Sequence, residues 1–172
     1  MKITKLNQVL SKKAKPGIKK KKSLSVGEVW YLNRHLQMRY EILQTTNILK
    51  NFTTELDFRL ILDSGVKILK AQIAVLEKLM QEYSIPLPPR YPLDVKSIAG
   101  AEMISDRYIF RTIFRGIQSF LPVHAEAFKG TTDPTLRGHF KKFLIEEIEL
   151  YDGFIEYGKI KGYEVVPPRY KN

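Results

Sequence analysis

The sequence predicts an all-α protein folded as an antiparallel four-helix bundle, built from two duplicated helical hairpins. One observation is a repeat, since residues 88–91 and residues 167–170 both read Pro-Pro-Arg-Tyr. Each copy follows a tyrosine, Tyr83 or Tyr163, and aligning these tyrosines also matches Leu56 with Leu136. A second observation is that apolar residues recur at steps of three and four through both halves, the spacing of a helix face. Each half has room for two helices, so the duplication predicts four.

The first predicted helix has a well-marked start. Ser25 and Glu28 have the Ser-x-x-Glu spacing of a capping box, and Leu24 and Val29 are spaced as a hydrophobic staple. We expect the helix to end near Lys50. Its predicted inward face consists of Val29, Leu32, Leu36, Tyr40 and Leu43.

The second predicted helix begins at Thr54, which would cap it, with Asp57 three residues later. It carries two neighbouring apolar rows, which predict contacts on two sides, as in a bundle. One row is Leu62, Val66, Leu69, Ile73, Leu76, Met80 and Tyr83. The other is Ile61, Gly65, Ile68, Gln72, Val75 and Leu79.

A proline-containing crossover from Pro86 to about Ser105 would join the two hairpins. The third helix is predicted to begin at Ser105-Asp106 and to bury Phe110, Ile113, Phe114, Ile117 and Leu121. The fourth opens with Asp133-Pro134 and ends at Gly162. Its predicted core-facing seam is Phe140, Leu144, Ile148, Tyr151 and Ile155.

The positive charge is concentrated at the N-terminus. The chain of 172 residues has a formal net charge of +11, and residues 1–22 supply nine lysines with no acidic residue. The rest of the chain is thus nearly neutral. This division predicts a basic disordered tail, residues 1–22, and a four-helix bundle, residues 23–172.

The lysine tail indicates attachment to an anionic surface or a purely solubilising arm, and the sequence supports these two interpretations about equally. Nonspecific binding to nucleic acid phosphates is the other alternative. The tail has no aromatic residue to stack on bases. The residues predicted to contact an anionic surface are Lys12, Lys13, Lys15, Lys19, Lys20, Lys21 and Lys22.

Absent residue types exclude several classes of function. There is no cysteine, which excludes disulfides and thiolate chemistry. No apolar run has the roughly 20 residues of a membrane span, and no apolar stretch follows the basic N-terminus as it would in a signal peptide. We therefore expect a protein that is neither transmembrane nor secreted by a signal peptide.

Several helix-end segments resemble those of a known family. They are Ser25–Glu28, Ile85–Pro88, Asp94-Val95, Ser105–Arg107 and Tyr163–Tyr170. Over residues 24–170 the chain resembles the uncharacterised ferritin-like proteins of endospore-forming bacteria related to spore coat protein F. The resemblance implies a ferritin-like bundle of unknown activity, of a kind often described as spore-coat-like. From the doubled apolar rows, the segregated charge and the missing metal ligands we expect a non-enzymatic structural role, in a cytoplasmic or spore-associated protein. The resemblance also implies self-association, with other spore-coat proteins as possible partners.

A ferritin-like fold raises the question of a dimetal site. Such a site needs one glutamate on each of two helices and Glu-x-x-His on each of the other two. The sequence has no Glu-x-x-His, and Gln72 stands where many members of the family have a histidine. His35, His124 and His139 lack the required carboxylate partners. We therefore predict no metal ligands, no cofactor and no catalytic residues.

Glu147 is unusual because it lies in an otherwise apolar row with Phe143 and Phe154. A buried carboxylate needs a partner, and the two candidates are His124 and Arg111. One interpretation is a polar site in the bundle core, formed by His124 and Glu147, which would bind a metal or a small ligand. The other, which the sequence favours, is a partly exposed glutamate at the edge of the seam.

The third and fourth helices carry more aromatic residues than we expect a single core to hold. Some should then form a second apolar face, which predicts a homodimer or a higher homo-oligomer. The residues are Phe110, Phe114, Phe120, Phe128, Phe140, Phe143, Tyr151, Phe154 and Tyr157.

Overall fold

Four α-helices make up the computed structural model, which describes residues 23–90 and 104–163. They are α1 (Val26–Lys50), α2 (Leu56–Glu82), α3 (Asp106–Gly130) and α4 (Pro134–Lys161). The described residues contain no strand, which confirms the all-α four-helix bundle. Helices α1 and α2 form one hairpin and α3 and α4 the other, and α1 packs on α3.

The predicted helix starts are confirmed at three of the four helices. Ser25 and Glu28 form the capping box of α1, and Ser105 caps α3. Asp133 caps α4, with Pro134 at the first helical position. In each case the cap is a local interaction, so the sequence alone was sufficient to place it.

The predicted start of α2 is wrong. Glu55 is the N-cap residue, and its side chain makes no capping hydrogen bond. Thr54 does not cap the helix, because it is bound by Asp106 at the start of α3. The Asp106 carboxylate accepts from the N–H groups of Thr54 at 3.1 Å and Glu55 at 2.9 Å. A carboxylate distant in sequence thus replaces the local cap.

The two hairpins are equivalent in a register slightly different from the one that aligns the tyrosines. Ser84 and Gly162 follow the ends of α2 and α4 with φ of 58° and 65°. The residue after each donates its N–H to a carbonyl five residues earlier, which closes both helix ends in the same way. We call the alignment of Ser84 with Gly162 the hairpin register. The match of Leu56 with Leu136 is therefore wrong: Leu56 is 73% exposed and Leu136 is fully buried.

Two apolar clusters fill the two ends of the bundle. The inward face predicted for α1 is confirmed for Leu32, Leu36, Tyr40 and Leu43. The seam predicted for α4 is partly wrong, since Ile148 is 44% exposed. The row that α4 buries is Phe140, Phe143, Glu147 and Phe154.

The aromatic argument for an oligomer is also wrong in its premise. All nine aromatic side chains of α3 and α4 named above are buried or half-buried within this one bundle. Most belong to stacked or tilted pairs, such as Phe110 with Phe154 at 5.7 Å between ring centroids. The large exposed apolar side chains of the described residues are different ones, spread over all four helices, and they include Trp30, Leu60, Tyr108, Ile145 and Ile160.

No helix in the described part of the chain is apolar over a stretch long enough to cross a lipid bilayer. The lysine tail, most of the crossover (residues 91–103) and the second Pro-Pro-Arg-Tyr segment lie outside the described residues. Of the first segment, residues 88–90 are described, and they include Arg90. Its guanidinium contacts Glu77 of α2 at 2.6 Å.

Candidate functional site

A buried ion pair lies at the centre of the bundle. Arg39 of α1 donates from Nη2 to Glu147 Oε2 of α4 at 2.7 Å. Both side chains are nearly fully buried, at 3% and 4% exposure. The Arg39 guanidinium also lies 4.0 Å from the ring centroid of Phe120 on α3. Three of the four helices therefore meet at this one arginine.

His124 of α3 completes the cluster. Its Nε2 lies 2.6 Å from Arg39 Nη2 and 3.4 Å from Glu147 Oε2. Because arginine has only donors, Nε2 must be the unprotonated acceptor, which places the ring proton on Nδ1. The 3.4 Å approach to Glu147 is then not a hydrogen bond, since both atoms are acceptors.

The electrostatics of the cluster follow from burial and from Arg39. Burial lowers the pKa of His124, opposed in part by the contact with Glu147, and the charge of Arg39 lowers it further, so the imidazole is neutral. Burial alone would raise the pKa of Glu147. The close approach of His124 and the charge and hydrogen bond of Arg39 together outweigh it and lower the pKa, so the carboxylate is ionised. The result is one buried cation, one buried anion and a neutral imidazole.

His35 is the second buried histidine of this region. Its Nδ1–H donates to the carbonyl of Tyr31 at 2.9 Å, and its ring centroid lies 5.2 Å from that of His124. Burial lowers its pKa to about 3, aided by the neighbouring His124 and opposed in part by the Tyr31 hydrogen bond. Within the described residues, His35 Nε2 and His124 Nδ1 have no hydrogen-bond partner.

A cavity of about 270 Å³ adjoins the ion pair and is lined from all four helices. Its walls are mainly apolar, with Leu62, Ile113 and Phe154 among them. The polar side chains of the lining include Arg39, Glu147 and Gln72 of α2, together with Thr46 and Thr112, and Glu41 and Thr45 lie at its exposed rim. Gln72 is 3% exposed and donates from Nε2 to Glu146 of α4 at 2.8 Å, but its Oε1 has no partner among the described residues.

Six of the residues that line the cavity have the helix distribution and sequence spacing of the ligands in a ferritin-like dimetal site. They are Arg39 of α1, Leu69 and Gln72 of α2, Ile117 of α3, and Glu147 and Leu150 of α4. In the hairpin register, the residues of one hairpin correspond to those of the other. The corresponding pairs are Arg39 with Ile117, Leu69 with Glu147, and Gln72 with Leu150.

Glu147 is the one carboxylate among these six positions. Arg39 occupies the position on α1 at which a dimetal protein would have a glutamate that binds the metal. Here the arginine contacts the Glu147 carboxylate directly. Across residues 23–90 and 104–163, no group of three or more His, Asp or Glu side chains is arranged to hold a metal ion. The residues present therefore fit an ion pair and do not fit a dimetal centre.

The two residues predicted for a polar site, His124 and Glu147, are both buried and lie side by side. The interpretation of Glu147 as partly exposed is wrong. Arg111, the other predicted partner, is directed elsewhere and donates to the carbonyl of Tyr163.

Sequence reasoning missed Arg39, although its position between Leu36 and Leu43 on the inward face of α1 was a usable signal. The seven tail lysines predicted to bind an anionic surface lie outside the described residues.

No family model matches the chain, and a comparison with curated proteins finds no match. Among solved structures, the chain is similar to a candidate spore coat protein from Bacillus halodurans C-125. The TM-score is 0.80 with 18% sequence identity, over 88% of this chain and 98% of that one.

A second similar structure is a two-domain protein from Anabaena variabilis ATCC 29413 with DJ-1/ThiJ/PfpI-like and ferritin-like domains. Here the TM-score is 0.67 with 14% identity, over 98% of this chain and 52% of that one. At these identities the likeness shows the fold. The protein therefore has the ferritin-like four-helix bundle that its helix-end segments implied, the fold shared with that candidate spore coat protein.

Proposed function

We propose that this protein is a non-enzymatic, spore-coat-like structural protein. In this proposal it self-associates and adheres to an acidic surface through Lys12, Lys13, Lys15 and Lys19–Lys22. The observation that carries the non-enzymatic part is the contact between Arg39 and Glu147 at the centre of the bundle. A guanidinium that occupies a dimetal position opposes metal binding both by its charge and by its bulk.

Two further observations support the structural role. The similarity in fold to a candidate spore coat protein extends over 98% of that chain. The charge of the molecule is also segregated, with a nearly neutral bundle and a lysine-rich N-terminus. Such a segment attracts anionic surfaces by about 1 kcal/mol for each lysine near the surface, and added salt weakens this attraction.

The coat role is tested by imaging a fluorescent fusion in an endospore-forming host through growth and sporulation. We expect a ring of fluorescence at the spore periphery. A matched fusion with the seven tail lysines replaced by glutamine should lose part of the ring if the tail anchors the protein. Fluorescence that stays diffuse through sporulation contradicts the coat role. Stoichiometric iron or manganese with oxidase activity contradicts the non-enzymatic part.

Surface attachment and self-association are tested on the purified full chain. We expect it to sediment with vesicles that contain phosphatidylserine and not with neutral phosphatidylcholine vesicles, and the lysine-to-glutamine variant to lose this difference. Retention on immobilised DNA that exceeds vesicle binding would instead favour the nucleic-acid alternative. Sedimentation velocity measures self-association, and a monomer across the accessible concentration range counts against it.

A further inference from the structure

We propose that the cavity between the four helices is a binding site for a small neutral amphiphile, a hydrocarbon body that carries one hydroxyl or amide group. The inference concerns the interior of the bundle and is independent of the proposed coat role.

The size of the cavity limits the size of the ligand. An engineered protein cavity of about 150 Å³ holds benzene, which has six non-hydrogen atoms. In proportion, the cavity of about 270 Å³ holds a ligand of about ten non-hydrogen atoms. A single substituted aromatic ring or a medium-length alkyl chain has this size.

Two glycines keep the walls open. Gly65 of α2 and Gly116 of α3 both line the cavity, and a Cβ added at either position would meet no atom within 4 Å. A larger residue at these positions would project into unfilled space. The lining also includes Glu41, Thr45 and Ile68, which are exposed, so the cavity reaches the surface and a ligand has a route of entry.

The polar side chains of the cavity define the headgroup. Within the described residues, Gln72 Oε1 is buried without a hydrogen-bond donor, which is destabilising. Arg39 also lines the cavity, and its guanidinium carries five N–H donors, of which those on Nη2 serve His124 and Glu147. A hydroxyl or an amide group both donates and accepts hydrogen bonds. One such group can therefore donate to Gln72 Oε1 and accept from an N–H of Arg39.

The ion pair sets the charge of the ligand. Arg39 and Glu147 neutralise one another at 2.7 Å in a buried position. A carboxylate ligand would compete with Glu147 for the guanidinium, and an ammonium ligand would compete with Arg39 for the carboxylate. Either would also lose its hydration on entering a mainly apolar cavity. A neutral headgroup has neither cost.

Calorimetric titration with three matched probes tests the chemistry. For 4-ethylphenol, whose size suits the cavity, we expect saturable one-to-one binding to the full chain. Ethylbenzene lacks the hydroxyl and should bind about three- to tenfold more weakly, the worth of one hydrogen bond. 4-Ethylbenzoate, which is anionic at pH 7, should bind at least as weakly. Absence of 4-ethylphenol binding to the folded protein overturns the proposal, and so does equal or tighter binding of 4-ethylbenzoate.

A pair of glycine variants tests the location. Gly116→Leu fills the cavity and should reduce 4-ethylphenol affinity more than tenfold. Gly153→Leu is the matched control, because Gly153 is an exposed helix position on α4 where a Cβ also meets nothing. It should bind like wild type. Both variants gain helix propensity, so their difference reports the cavity alone. Unchanged affinity in Gly116→Leu, or equal losses in both, overturns the assignment.

Gln72→Met tests the headgroup contact without filling the cavity. We expect 4-ethylphenol to lose about three- to tenfold in affinity and ethylbenzene to lose none. This variant also keeps the proposal falsifiable if Gly116→Leu does not fold, which circular dichroism would show. Equal effects on the two probes would mean that Gln72 does not contact the hydroxyl.

Discussion

The carboxylate of Glu28, in the first turn of α1, accepts a hydrogen bond at 2.8 Å from the backbone N–H of Asp133, the N-cap of α4. The opposite hairpin has the same device, since Asp106 in the first turn of α3 accepts at 2.9 Å from Glu55, the N-cap of α2. The first helix of each hairpin thus binds the turn of the other. The two hairpins are joined by a reciprocal pair of carboxylates, which are equivalent positions in the hairpin register.

Glu28→Gln should destabilise the protein in a pH-dependent way. Burial would raise the pKa of Glu28, but hydrogen bonds from the N–H groups of Asp133, Ser25 and Thr132 outweigh it and lower the pKa to about 2. Since this folded-state pKa lies below the ordinary value, the ionised group stabilises the fold above about pH 4.5, and this contribution is lost as the pH falls toward 2.

We expect Glu28→Gln to lower the free energy of unfolding at pH 7 by about 1–2 kcal/mol. The difference from wild type should shrink toward zero as the pH approaches 2, as urea denaturation over this pH range would measure. Glu126→Gln, at an exposed position on α3, is the control and should change little. A difference that stays constant with pH contradicts the prediction.

Asp106→Ala should open the turn between α1 and α2 without unfolding the bundle. The carboxylate binds the N–H and hydroxyl of Thr54 as well as the N–H of Glu55. Hydrogen bonds to a charged group contribute about 1.5–3 kcal/mol each. We expect amide hydrogen exchange to accelerate at least tenfold at Thr54 and Glu55. Glu28→Ala, the reciprocal variant, should do the same at Thr132 and Asp133 and leave Thr54 unaffected. Acceleration spread over all four helices would contradict a local role.

The sequence was informative wherever a helix end is fixed by its neighbours. The capping box of Ser25 and Glu28, the Asp133-Pro134 start and the Gly162 stop were all predicted correctly, because each depends on residues within a few positions. Thr54 failed because its partner, Asp106, is 52 residues away. The tendency of threonine to cap a helix is overridden here because the Asp106 carboxylate is a stronger hydrogen-bond acceptor.

The candidate site was predictable only in part. Glu147 was identified as unusual, and His124 as a possible neighbour, from their places in apolar helical rows. Arg39 is 108 residues from Glu147, so no local pattern connects the two. The long apolar stem of an arginine also lets it lie on the inward face of a helix, where the periodicity of apolar residues does not predict a charged side chain. Gly65 and Gly116 leave part of the cavity unfilled, and the periodicity of apolar residues does not reveal such a gap.

Arg39 and Glu147 should show strong coupling in a double-mutant cycle. Either Arg39→Met or Glu147→Leu leaves the other charge buried without its partner, at a cost of about 3–5 kcal/mol. The double variant removes both charges, so we expect it to be more stable than either single variant. Chemical denaturation at pH 7 gives the coupling energy. The control cycle is the exposed pair Lys78 and Glu82, where we expect less than about 0.5 kcal/mol. Additive losses at Arg39 and Glu147 would contradict the prediction.

His35→Met should reduce the acid sensitivity of the fold. Burial, with the neighbouring His124, lowers the pKa of His35 to about 3, so the folded state keeps the ring neutral while the unfolded chain protonates it below about pH 6.5. The unfolded state thus binds more protons between pH 6.5 and 3, and stability falls as the pH falls through that window. One such histidine lowers the free energy of unfolding by about 2–3 kcal/mol between pH 7 and 4.5.

We expect the free energy of unfolding of His35→Met, measured by guanidinium titration, to fall by that much less than the wild-type value over the same pH range. His139→Met, at a half-buried position on α4, serves as the control. Parallel pH profiles for wild type and His35→Met would mean that His35 does not remain neutral in the folded state.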